Sequence, residues 1–183
     1  METNLIILIV VVLVIIFFIG LFNRLVRLKN RVKNAWAQID VQLKRRADLI
    51  PNLINTVKGY AKHEKSLLEN ITNARSQLMK ASDVKSKSKA NNMLSETLKS
   101  LFAVSENYPD LKANQNFLQL QEELTGTENK ISYARQFYND IVMAFNTKIE
   151  VFPNNLFSKI LGFKHQDSFE ATAAEKKNVK VEF

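Results

Sequence analysis

Two histidines, His63 and His165, and no cysteine occur in the 183 residues. The pair His63-Glu64 lacks the second histidine that completes an HExxH zinc helix, and no Glu-x-x-His is present to build a carboxylate di-iron bundle. The absence of cysteine removes disulfides, thiolate metal sites and cysteine nucleophiles together. Four glycines form no G-x-x-x-x-G-K-[ST], no G-x-G-x-x-G and no G-x-S-x-G, so phosphate cradles and nucleophile elbows are excluded. No catalytic residue, cofactor or metal is expected. Two polar clusters remain, at residues 42–51 and 106–116, and they contain Arg45, Arg46, Asp48, Asp110 and Asn114. Both fall at junctions between helical patterns. Such residues either cap helices and pair across a bundle end, or line a binding site for a partner. Glu128, Asn129, Arg135 and Asp140 read as interhelical ion pairs and hydrogen bonds.

The element that must place these clusters is residues 5–22, eighteen consecutive apolar or glycine positions with no ionisable side chain. At 1.5 Å per residue a helix of this length covers roughly 27 Å, the thickness of a bilayer's hydrocarbon core. Arg24, Arg27, Lys29, Arg31 and Lys33 follow at once, whereas only Glu2 precedes. That asymmetry puts residues 1–4 outside and everything after the span on the cytoplasmic side. A cleaved signal peptide would need a basic lead and an A-x-A exit; Glu2 and the exit Phe-Ile-Gly-Leu-Phe-Asn supply neither, so an uncleaved anchor is expected. Residues 24–46 carry eight Lys/Arg against Asp40 alone, so most of the net charge of +8 is a collar beside the membrane. It suits anionic headgroups and fits nucleic acid poorly.

Beyond the anchor, Leu25, Leu28, Val32, Trp36, Ile39, Leu43, Ala47 and Ile50 step by threes and fours, predicting one helical rod continuous with the span. Asp48 ahead of Pro51 predicts a break near residue 48 and a second helix to about Lys80. Residues 81–90 lack apolar periodicity and read as an exposed connection. A shorter helix through Met93, Leu98 and Val104 stops before Pro109. Asp110 then reads as the N-cap of a final helix of about forty residues, in which Phe117, Leu124, Ile131, Tyr138 and Phe145 keep heptad spacing until Pro153. Few glycines and prolines and four amphipathic segments predict an all-α chain, a transmembrane helix continuing into an antiparallel up-and-down four-helix bundle over 23–153. Counting helix directions returns residues 154–183 to the bilayer. There Leu156, Phe157, Ile160, Leu161 and Phe163, interleaved with lysines, read either as an interfacial helix or as a cap on the bundle. The polar end from residue 171 reads as a mobile tail.

The runs AWAQIDVQLKRRADLIPNLINTVKGYAKHE, LFAVSENYPDLKANQNFLQLQEELTGTENKI and ARQFYNDIVMAFNTKIEVFP closely resemble the LemA family. The resemblance covers nearly the whole chain and implies a helical bundle on a bacterial membrane. It carries over no catalytic residue. Two functions are therefore weighed. One is a membrane-tethered scaffold that self-associates, in a ring or curved array that shapes the membrane, or docks protein partners. The other is a ligand-binding or enzymatic module built on the junction clusters.

Overall fold

The computed structural model describes residues 2–170. Every regular element among them is helical: α1 (Glu2–Lys58), α2 (Lys65–Lys80), α3 (Val84–Ser105), α4 (Pro109–Lys112), α5 (Gln115–Glu150) and α6 (Asn154–Ile160). The expected tail, residues 171–183, lies outside the described residues. The described residues divide into two compact units, residues 2–36 with 137–166 and residues 37–136 with 167–170, so α1 and α5 contribute to both.

In the first unit α1 is the one described helix long and apolar enough to cross a membrane, and its apolar run is entirely unburied. Its stripe changes character after the run. Leu25, Val32 and Ala35 are buried, as are Tyr138, Ile141, Val142, Phe145 and Ile149 of α5. The Trp36 and Tyr138 rings meet at 5.6 Å. After α5 the chain turns through Pro153 into α6. Asn146 then fastens the stretch beyond α6 by donating to the Gln166 carbonyl and accepting from its N–H, each at 2.9 Å.

In the second unit the expected break near residue 48 does not occur: α1 runs through Pro51 to Lys58. A proline inside a helix costs about 3 kcal/mol, whereas each buried Ile, Leu or Val contributes about 1.5–3 kcal/mol. Ile50, Leu53 and Val57 are all fully buried on that stretch, so burial wins. Proline also leaves the carbonyl four residues back without its helical donor. That carbonyl belongs to Ala47, and Arg75 of α2 supplies the missing donor through Nε at 2.7 Å. The helix end falls instead at Gly59, where Tyr60 and Ala61 both donate to the Val57 carbonyl. Loss of Arg75 should therefore orphan a buried carbonyl. Arg75→Ala is expected to cost about 1–3 kcal/mol in urea unfolding, and clearly less in a Pro51→Ala background, where residue 51 regains an N–H for Ala47. Equal costs in the two backgrounds would contradict this pairing.

The expected connection over residues 81–90 shrinks to three residues, because α3 starts at Val84 with Asp83 as its N-cap. The Ser86 N–H donates to Asp83 Oδ1 at 2.9 Å, and this bond holds the Asp83 carboxyl below its ordinary range. Ser88 and Asn91 are buried through hydrogen bonds, to the Glu170 carbonyl and to Arg46. Buried polar residues leave no apolar period, so in sequence this stretch resembles a loop. The helix after Pro109 is also corrected. Pro109 opens the short α4, and the cap of α5 is Asn114, whose Oδ1 accepts from the Phe117 N–H at 3.0 Å, in place of Asp110. Within this unit α2 and α3 pack together, and Leu68, Ile71, Ala74, Leu94, Leu98, Leu101, Phe117, Leu124 and Ile131 form the core.

Candidate functional site

Two places gather side chains beyond what packing requires. The first lies in the first unit, where α6 meets the end of the apolar run. The Phe157 ring meets the Phe18 ring at a tilt of 51°, with centroids 4.3 Å apart, and Phe163 reaches Phe22 at 6.4 Å and Phe145 at 6.3 Å. The Lys29 Nζ stands 5.5 Å above the Phe163 ring. That is cation–π distance, so one member of the basic collar is tied to the segment after α6. The other collar residues, Arg24, Arg27, Arg31 and Lys33, are exposed. Leu156, Ile160 and Leu161 are exposed as well.

The turn that makes these ring contacts has a local cause. Gly162, at φ 71, takes the left-handed conformation after α6. Its N–H donates to the Lys159 carbonyl at 3.3 Å, and the Phe163 N–H donates to the Ser158 carbonyl at 2.9 Å. This paired helix-ending motif favours glycine and swings Phe163 back onto the anchor.

The second place is a buried polar knot in the second unit. Arg46 is only 3% exposed. Its Nη1 donates to Asn91 Oδ1 at 2.8 Å and to Ser95 Oγ at 2.9 Å, and pairs with the Glu128 carboxylate. Ser95 in turn donates to Glu128 Oε1 at 3.2 Å. Burial pulls the Arg46 guanidinium below its ordinary value, while Glu128 pulls it back up. The knot ties α1 to α3 and α5, and Arg75 ties α1 to α2. A cleft of about 270 Å³ opens beside it, lined by Arg46, Ser95, Phe102, Leu124 and Glu128 among others, and Arg46 Nε finds no acceptor.

The five residues expected in the junction clusters do not converge. Arg46 is inside, Arg45 lies 3.9 Å from Glu123 at the surface, and Asp48 and Asp110 are exposed. Asn114 belongs to another corner, donating from Nδ2 to the Tyr60 hydroxyl at 3.0 Å. Beside it the Tyr108 hydroxyl donates to Glu64 at 3.0 Å, which raises the Tyr108 pKa. Glu128 is an interhelical partner, as its place in the sequence suggests. Its partners Asn91 and Ser95 escape a reading of the sequence because they sit beside the stretch that resembles a connection. Phe169, 1% exposed, escapes it too, because one apolar residue in a polar tail has no period.

The model of the LemA family matches residues 35–183. Over 167 residues the chain is 31% identical to Protein LemA of Metamycoplasma hominis, covering 88% of this chain and 74% of that protein. It is 23% identical over 179 residues to the magnetosome proteins MamQ 1 and MamQ 2 of Paramagnetospirillum magneticum, covering 84% of this chain and 66% of each of them.

Proposed function

The chain belongs to the LemA family, and from that premise we propose that it is a single-pass protein of the bacterial cytoplasmic membrane, with a short N-terminus outside and its helical domain in the cytoplasm. In this reading the domain is an antiparallel up-and-down bundle that works as a scaffold, by self-association or by docking a partner protein, and not as an enzyme. The observation that carries it is α1 itself: an unburied apolar run, then a basic collar, then a buried stripe, all on one helix. Anchor and domain share that helix, so the domain is held at the surface without a linker. The three-residue connection between α2 and α3 supports antiparallel neighbours, and the Arg46 and Arg75 bonds support four helical segments in one bundle.

Self-association is favoured by α5. Its heptad side, Phe117, Leu124 and Ile131, is buried, yet Leu118 and Tyr133 on the same helix stay exposed, Tyr133 at 75%. These exposed apolar residues, interleaved with polar ones such as Glu122 and Asn129, offer apolar contacts to a second copy. The full-length protein reconstituted in nanodiscs at micromolar concentration is expected to contain more than one copy by mass, and Tyr133→Lys to lower that number. A strictly monomeric particle would remove self-association from this reading. The rival reading, a ligand-binding module, is favoured by the cleft beside Arg46. It predicts that Lys99→Ala, at the rim of that cleft, changes the function while leaving thermal stability intact.

A further inference from the structure

The helix α6 is built inside out. Its polar residues Asn154 and Ser158, one turn apart, are 1% and 3% exposed, and the Ser158 hydroxyl donates to the Ile149 carbonyl at 2.9 Å. Its apolar residues Leu156 and Ile160, one turn apart on the other side, are 56% and 79% exposed, and Leu161 and the preceding Phe152 join them. A short helix facing water shows the reverse pattern. An apolar outward face belongs against an apolar medium, and the position of α6 says which. Phe157 packs its ring against Phe18, four residues before the end of the apolar run of α1. At 1.5 Å per residue that is about 6 Å inside the end of the run, the depth at which interfacial helices lie.

We propose that α6 is inserted in the cytoplasmic leaflet beside the anchor, its outward face among the upper acyl chains and Lys159 and Lys164 on the phosphates of anionic lipids. The proposal rests on the reading of residues 5–22 as a membrane span, and deepens it: the domain is held by two points instead of one. The Ser158 bond and the Gly162 turn fix which face of α6 looks outward, and the ring contacts of Phe157 and Phe163 fix its distance from the anchor. Charge agrees with the site. Lys159 and Lys164 are exposed on the segment itself, and Arg24 and Arg27 are exposed on the collar just past the span. Cations placed at that level meet lipid phosphate.

Trp36 is the sole tryptophan, so a Trp36→Phe background gives a clean reporter. Full-length variants Leu13→Trp, Leu156→Trp and Ile160→Trp are placed in nanodiscs of phosphatidylglycerol and phosphatidylcholine, brominated near the headgroup or at mid-chain. Emission from Leu13→Trp is expected to be lost most to mid-chain bromine, and emission from Leu156→Trp and Ile160→Trp most to bromine near the headgroup. Loss at residue 13 with none at 156 and 160 overturns the insertion of α6 and leaves the span standing. No loss at any of the three overturns both. Lys159→Glu with Lys164→Glu should weaken the loss at residue 160 in phosphatidylglycerol and not in phosphatidylcholine; a loss in phosphatidylglycerol unchanged by the two substitutions overturns the role of lipid charge.

Discussion

Arginine at Val10, Leu13 and Ile16 together is expected to move the protein out of the floating membrane fraction of a density gradient, whereas arginine at Leu13 alone leaves it there. The contrast follows from magnitudes. Leu, Ile, Phe and Val each favour insertion by about 0.3–0.6 kcal/mol, so the seventeen such residues of the run, Gly20 being the exception, are worth about 5–10 kcal/mol. One central arginine opposes it by about 2.5–3.5 kcal/mol and three by about 8–10 kcal/mol. A single substitution is thus tolerated and a triple one is not. None of the three positions touches the buried stripe, since the run is wholly unburied and burial starts at Leu25, so the triple variant should keep its helical circular-dichroism signal. Flotation of the triple variant equal to that of the parent protein would mean that this run is not the principal hold on the membrane and that α6 and the basic collar suffice.

The second large effect is at Arg46. Arg46→Ala removes a guanidinium that is 3% exposed and leaves Asn91, Ser95 and Glu128 without their shared donor. Breaking a fully buried pair costs about 3–5 kcal/mol. The Glu128 side chain is 42% exposed and regains water, so the expected loss lies at the low end, about 3 kcal/mol, or roughly 6–12 °C in Tm for a chain of this size. Arg46→Met combined with Glu128→Gln should recover most of it, because apolar volume replaces the aliphatic stem and no charge is left behind. If the double variant is as unstable as Arg46→Ala, the knot matters through its geometry and not through its charges. Conversely, full stability of Arg46→Ala would show that the polar knot adds nothing to the unit.

What can be read from the sequence depends on which residues carry a period. The span, the stripe from Leu25 to Ile50 and the heptads from Phe117 to Phe145 are legible because apolar residues recur at helical spacing, and most of the positions from Leu25 onward are buried. Pro51 misleads because its local cost is visible in sequence while its compensation, the Arg75 bond to Ala47, comes from another helix. The start of α3 is hidden because Ser88 and Asn91 are buried by hydrogen bonds and not by apolarity. The cap of α5 is Asn114 and not Asp110, yet both are good cap residues and only the backbone distinguishes them. For the candidate sites, the composition of residues 156–163 is legible, but the side of α6 that faces outward is not. That depends on where Ser158 finds its acceptor.

The proposed topology, in which residues 5–22 cross the membrane once and leave the helical domain in the cytoplasm, is open to a direct test. The chain has no cysteine, so Thr3→Cys and Ser100→Cys each create a single thiol. Intact bacterial spheroplasts are treated with a membrane-impermeant maleimide before and after lysis. Residue 3 is expected to be labelled in intact spheroplasts and residue 100 only after lysis. Labelling of residue 100 in intact spheroplasts, with residue 3 protected, would contradict this topology.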